Sequence, residues 1–459
     1  MQFKKMFQTV GLVCAMGLVS MAGAFTINDQ PTGFASLNGG TTGGAGGTVV
    51  VVTTIADLVK YAATSGKYII YVSGTMGVDV TGTTDASGGN MSVVTVTADK
   101  TIFGLPGSKL IGRVLVKGVS NVIIRNMTIQ GPGATDVNGQ DAMTIQTSTN
   151  VWVDHCDIYD GQDGNLDMVN NSNDLTVSWT KFHYTSNSVA AGKTGAHRFS
   201  SLICGTTATT NAGYYQITMQ YNWWADGVTE RMPRVRYGKV DVVNNLVTSA
   251  GNNYAVRAGL NASIIVENNA FIGTSNPVDI YTSESGQAVT VKGNLFSGTS
   301  GTTAGVGTAF SRATYYTNLT ILDSSKVQAA VQGTYGAGAT LCDVRTSTCT
   351  TTSSSSTAVS SSAAKSSSSV AVSSSSVAVS SSAAKSSSSV AVSSSSVAVS
   401  SSAVKSSSSV AVSSSSIAVS SSSVIVSSSS AGVAIRTVLP EFLQSIKVHH
   451  YDLMGRTHK

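Results

Sequence analysis

Short apolar runs closed by Asn, Asp or Gly recur through the middle of this chain. IIRNMTI (123–129), VWVDHCDI (151–158), LTVSWTKF (175–182), ITMQYNWW (217–224), VDVVNNLV (240–247), IIVENNAF (264–271) and VTVKGNLF (289–296) align on one pattern. Each reads as two short strands joined at a polar corner. The corner residues Asn222, Asn245, Asn269 and Asn294 follow one another at 23, 24 and 25 residues. A strand pair repeated at roughly 20–30 residues predicts a parallel β-solenoid. Asparagine suits the corner because it tolerates left-handed backbone and its amide can bond the coils on either side. The rival is an antiparallel β-sandwich, whose strands need not keep one motif in step.

A solenoid must hide its ends. Thr54-Ile55-Ala56-Asp57 is a capping box, followed by Leu58, Val59, Tyr61, Ala62 and Ala63 at helical spacing. This predicts a capping helix over 54–64. The glycine-rich run Gly39–Gly47 lacks the G-K-[ST] ending of a phosphate loop and reads as a tight surface loop. The longest break in the repeat, 183–213, predicts a loop overhanging one face of the stack.

Composition divides the chain. Residues 1–24 have the form of a secretory signal: Lys4 and Lys5, an apolar run from Val10 to Met21, then Ala22-Gly23-Ala24. The run is short for a membrane span and is broken by Gly11 and Gly17. Residues 25–350 form the predicted folded domain. Residues 351–431 repeat SSSSVAVSSSSVAVSSSAAK and predict a disordered Ser-rich linker. The tail 432–459 is too small for an independent domain. Its YDLMGR words resemble C-terminal sorting signals, so it is a candidate sorting or surface-attachment segment. The expectation is a secreted, extracellular or cell-surface monomer with no membrane span.

The net charge of +5 does not describe the folded part. Two lysines in the leader, three in the linker and four basic against two acidic residues in the tail account for the surplus. That leaves 19 basic and 21 acidic residues in 25–350. Such a balance carries no nucleic-acid footprint. In an oxidising compartment Cys342 and Cys349, seven apart, predict a small disulfide loop, while Cys156 and Cys204 read either as a second pair or as buried thiols.

The chemistry concentrates in two places. Asp141, Asp163 and Asp167 fall in successive segments, and neighbouring coils of a parallel stack come within about 5 Å. Carboxylates gathered so closely repel unless a cation sits between them, and an all-oxygen set favours Ca²⁺ over zinc. Asp154, Asp157, Asp160 and Asp174 read as turn and cap residues. Thr229–Arg236, TERMPRVR, opens a strand that runs on to VDVVNN, and its three arginines suit a polyanion carboxylate. His155 and His197 read as hydrogen-bonded scaffold, Trp152 and Trp179 as coil packing, and one of Trp223 and Trp224 as a groove-lining ring.

NGGTTGGAGG (38–47), TIFGLPGSKLIG (101–112), VIIRNMTI (122–129), QDAMTI (140–145), NVWVDHC (150–156), DGNLDM (163–168), LTVSWTKF (175–182) and RMPRVRYGKVDVVNN (231–245) occur in one order. Over about residues 25–340 the chain resembles the pectate lyases of the first polysaccharide lyase family. The resemblance implies a right-handed parallel β-helix that binds Ca²⁺ through Asp141, Asp163 and Asp167. It implies Arg231 as the base and Arg236 as a ligand of the substrate carboxylate. The implied reaction is β-elimination on α-1,4-linked polygalacturonate, yielding 4,5-unsaturated oligogalacturonates. The family's H-x-K-x-x-L-x-G loop reads His197-Arg198-Phe199-Ser200-Ser201-Leu202-Ile203-Cys204-Gly205 here, so Arg198 or Lys193 takes the substrate-binding lysine's part. The alternatives are a pectin lyase for methyl-esterified chains, which should lack the acids, a galacturonan hydrolase, whose NTD and GHG words are absent, and a non-catalytic carbohydrate-binding β-helix.

Overall fold

A computed structural model describes residues 24–79, 91–135, 139–185, 194–346 and 349–350. They lie within one compact unit spanning Met1–Ser361. Of the expected leader 1–24 only Ala24 is described, in the strand Ala24–Phe25, and the expected linker 351–431 and tail 432–459 lie outside the described residues. No helix among the described residues is long and apolar enough to cross a membrane.

The repeating words wind into a right-handed parallel β-helix, as expected. Its strands form three long sheets of ten, nine and eight strands. Within each, successive coils pair in parallel and in register, as in Val151↔Leu175 and Leu175↔Ile217. One coil illustrates the winding. Thr149–Asp154 lies in the ten-strand sheet, Asp157–Tyr159 in the nine-strand sheet and Leu166–Val169 in the eight-strand sheet. Inward side chains such as Val151, Val153, Ile158, Leu166 and Met168 stack along the axis into one continuous core. Parallel strands buried in this way read as near-continuous apolar runs.

The corner asparagines form a buried ladder. Asn222, Asn245 and Asn269 each donate a backbone N–H to the Oδ1 of the next asparagine up, at 2.8 Å. Their Nδ2 groups donate back to Val177, Met219 and Val242 carbonyls. The left-handed backbone sits one residue earlier than expected, at Tyr221, Asn244, Asn268 and Gly293, with φ of 54°, 53°, 51° and 64°. Thus the ladder residue is chosen for its amide, and its predecessor makes the bend.

The helix Ile55–Ala63 forms as predicted. Thr54 Oγ1 accepts from Asp57 N at 3.1 Å, and Leu58 and Ala62 are buried. The glycine run is more constrained than a free loop, since a Cβ on Gly44 would collide with the Tyr68 carbonyl. A return segment after residue 309 lies along the corners. Asn244 and Asn268 donate to Leu322 O, and Asn126 brackets the backbone of Leu341. Cys342 and Cys349 are disulfide-bonded, while Cys156 and Cys204 are separate buried thiols.

Candidate active site

The two chemical regions of the sequence meet on the outer face of the eight-strand sheet. Thr144 pairs with Asp167, Leu202 with Arg234, and Arg234 with Arg257. Asp167 and Leu202 are adjacent too, because Leu202 N donates to Asp167 Oδ1 at 2.9 Å. One outward ladder therefore passes from an acid to two arginines over four coils. Its strands are short, and Leu202–Ile203 and Arg234–Val235 are two residues each. The arginine-rich word is accordingly two strands rather than one: the chain turns at Tyr237, φ 55°, before Lys239–Val243 joins the ten-strand sheet.

Asp141 stands two residues before the strand Met143–Gln146 and accepts from Thr144 Oγ1 at 2.9 Å. A Cβ built on Gly164 would lie 3.0 Å from both Asp141 Oδ1 and Asp167 Oδ1, so those oxygens flank the same glycine. Burial raises Asp141 well above the ordinary carboxylate range, and the charges of Asp167 and Asp163 raise it further. Asp167, 7% exposed, is pushed up to about 7 by burial, against the opposing pull of Arg231. Asp163 Oδ1 accepts from His197 Nδ1 at 2.6 Å. Among the described residues no three such side chains are already gathered as a metal cage. The donor set nonetheless fits a hard cation: all its side-chain oxygens are carboxylate, Asp141 and Asp167 share one glycine, and those two are held back from ionising by burial and like charge.

Arg231 faces this acid set. Its backbone is left-handed, φ 63°, which for a non-glycine residue marks a site held by its surroundings. Its Nε and Nη1 are buried without a hydrogen-bond partner, and its Cζ lies 4.1 Å from the centre of the Phe199 ring. Arg198 also has a buried, unpartnered Nε. Arg236 is differently placed: its guanidinium donates to both carboxylate oxygens of Glu284, at 2.6–3.0 Å. Arg234 lies over Tyr281 with its Nε unpartnered. Lys193 lies outside the described residues.

Both histidines are hydrogen-bonded, as expected, His197 to Asp163 and His155 to its neighbour. Buried His155 donates to Asp154 Oδ2 at 2.7 Å. Asp154 is no turn residue, because it also receives Arg125 Nε and Ser178 Oγ in a buried ion network. Trp179 stacks on Tyr221 at 4.3 Å. Trp224 is buried, and Trp223 packs beside Leu246 and the helix Ser324–Val331, on the nine-strand sheet, so neither lines this face. Sequence reasoning overlooked Phe199 and Glu284. Phe199 stands where the expected loop pattern has lysine, and that was the available signal.

A parallel β-helix with clustered acids opposite an unbonded arginine defines a polysaccharide lyase architecture. The pectate lyase family model matches residues 8–340, and the chain belongs to that family. A pectate lyase of Emericella nidulans is 31% identical over 316 residues, covering 67% of this chain and 88% of that protein. A pectate trisaccharide-lyase of Thermotoga maritima is 33% identical over 259 residues, 53% of this chain and 64% of its own length. The solved pectate lyase of Bacillus sp. N165, in complex with trigalacturonate, is 25% identical with a TM-score of 0.54. That match covers 68% of this chain and 99% of that one. The protein is a lyase acting on pectate.

Proposed function

We propose that this chain is a secreted, monomeric, Ca²⁺-dependent pectate lyase. It cleaves α-1,4-polygalacturonate by β-elimination into 4,5-unsaturated oligogalacturonates. The observation that carries this reading is the pair of mutually strained carboxylates, Asp141 and Asp167, beside an arginine with unspent donors. The Cys342–Cys349 disulfide and the leader-like first 24 residues support an oxidising destination.

Asp141, Asp163 and Asp167 would hold the ion. A bound Ca²⁺ supplies Lewis-acid stabilisation of the charge that develops next to the uronate carboxylate. Arg231 receives the C5 proton. The C5–H electron pair forms the C4–C5 double bond, the C4–O bond breaks with its electron pair going to the glycosidic oxygen, and that oxygen takes a proton from solvent water. A guanidinium must first give up a proton to act so, which alkaline solution favours. Arg198, or Lys193 in its stead, would meet a substrate carboxylate in the part of the family's lysine, and Arg236 would do so on release from its fork on Glu284. A polyanion with regularly spaced carboxylates suits these groups better than a methyl-esterified chain.

The test is incubation of the purified protein with polygalacturonate, with and without a chelator. Ultraviolet-absorbing unsaturated product that vanishes with chelator and returns with Ca²⁺ is expected. Reducing ends without that absorbance would replace the lyase reading by hydrolysis, and binding without cleavage would replace it by a binding module. Faster turnover of methyl-esterified pectin would move the assignment to pectin lyase.

A further inference from the structure

An arginine that must meet a reacting carbon needs a fixed plane and free N–H groups, two demands that conflict. A carboxylate partner would fix the plane but occupy the donors in a bidentate fork. Arg231 is fixed otherwise. Its Nε and Nη1 have no hydrogen-bond partner, and its Cζ lies 4.1 Å over the Phe199 ring. Attraction to a ring face needs no N–H···O bond, so it holds the guanidinium while Nε and Nη1 stay unspent.

Phe199 is itself held from three sides. Its carbonyl accepts from Tyr184 Oη at 2.8 Å, and its backbone bridges in parallel to Glu230, next to Arg231. The His197 ring packs against it at 4.8 Å, and His197 donates to Asp163 at 2.6 Å. The backbone of Arg231 is tied to the same coil, since Ser201 N donates to Arg231 O at 2.7 Å. Thus ring and guanidinium are registered by adjacent coils rather than by a flexible loop.

We propose that Phe199 is a positioning residue for Arg231: its ring face orients the guanidinium while keeping the N–H groups free for the substrate. The proposal rests on the lyase reading for its kinetic consequence only. The geometric claim can be read without substrate.

The experiment compares Phe199→Leu, which removes the π-face and keeps apolar bulk, with Phe199→Tyr, which keeps the face. Both are measured on polygalacturonate with saturating Ca²⁺, and the Arg231 Nε–Hε resonance is followed by NMR in protein without substrate. Phe199→Leu is expected to lower kcat about tenfold, or ~1.4 kcal/mol in barrier, with KM changed less than about twofold and melting temperature nearly unchanged. Phe199→Tyr should retain at least half of kcat. The Hε resonance should be shifted upfield by the ring in the parent and in Phe199→Tyr, and lose that shift in Phe199→Leu. Normal kcat in Phe199→Leu, equal losses in both variants, or a change confined to KM would overturn the proposal. An unchanged Hε resonance in Phe199→Leu would overturn it independently of any activity. A parent protein inactive on polygalacturonate but with the expected resonance pattern would refute the lyase reading and leave the geometric claim standing.

Discussion

Replacing Asp167 by Asn should stabilise the protein in the absence of metal while destroying its response to metal. The Asp167 carboxyl is 7% exposed and is raised from an ordinary value of 3.8 to about 7, chiefly by burial. About three pH units at ~1.4 kcal/mol each bounds the cost of its charged form near ~4 kcal/mol. Asp141 titrates with it, so roughly half, ~2 kcal/mol, falls to this one group. Asparagine keeps an Oδ1 that can accept the Leu202 N–H, now 2.9 Å away, so little else is lost. An upward-shifted carboxyl favours the fold while protonated. Its contribution is complete below about 4 and is lost as pH climbs through about 7. In chelator, the parent should therefore lose stability from pH 4 to pH 8, and Asp167→Asn should lose less. Thermal unfolding at fixed scan rate and pH 8 should place the variant about 4 °C higher, at roughly 2 °C per kcal/mol for a domain this size. Added Ca²⁺ should reverse that order by stabilising only the parent. A variant less stable than the parent in chelator would refute the reasoning, because the carboxylate would then be contributing to the fold rather than waiting for a cation.

Arg231→Lys should lower kcat by ~10³-fold or more with a melting temperature near that of the parent, because Nε and Nη1 bond nothing in the fold; turnover near the parent rate would reject Arg231 as base. Asn245→Ala removes four hydrogen bonds of the buried ladder, two from Asn222 and one each to Met219 and Asn269, and should cost ~2–4 kcal/mol in urea unfolding; a cost under about 1 kcal/mol would mean that the ladder is ornamental. Glu284→Gln weakens the fork on Arg236, whose side chain is 12% exposed, and should free that guanidinium for a uronate. KM should then fall about threefold, whereas an unchanged KM would make Arg236 the structural partner of Glu284 alone.

The solenoid was legible because its ten-strand and nine-strand sheets carry the long apolar words and the asparagine corner between them. Strands such as Asn173–Ser178 have inward positions filled by Leu175 and Val177, and their spacing repeats. The eight-strand sheet was not legible. Two-residue strands such as Leu202–Ile203 and Arg234–Val235 cannot show a period, and loops of varying length precede them. That sheet carries the site, so its residues were found through their charges rather than their structure. The pairings Arg236–Glu284 and Arg231–Phe199 span 48 and 32 positions and follow from coil register, which no local pattern reports. Asp154 was misread for the same reason: its partner Arg125 is 29 residues away, one coil below.

A parallel coil stack sets each residue beside its counterpart in the next coil, and the chemistry of this molecule follows from what it does with that constraint. At the corners, like beside like is favourable, because an asparagine amide is both donor and acceptor and four of them bond in sequence. On the outer face of the eight-strand sheet the same rule is costly. Acids on neighbouring coils raise one another, and Arg234, already strained by burial, is pushed lower by the charges of Arg236 and Arg231. Alternating the signs coil by coil would remove both strains by forming ion pairs, as Arg257 and Asp279 do at the far end of the ladder. The chain instead groups acids on the coils of Asp141 and Asp167 and arginines on those of Arg198, Arg231 and Arg234. Apart from Arg113 near Asp141 and Glu284 on Arg236, the separation leaves one region short of a cation and the next short of an anion. A divalent cation and a uronate carboxylate bound side by side would relieve both. The strain is therefore informative about the ligand: it is the electrostatic complement of an ion and a polyanion bound together.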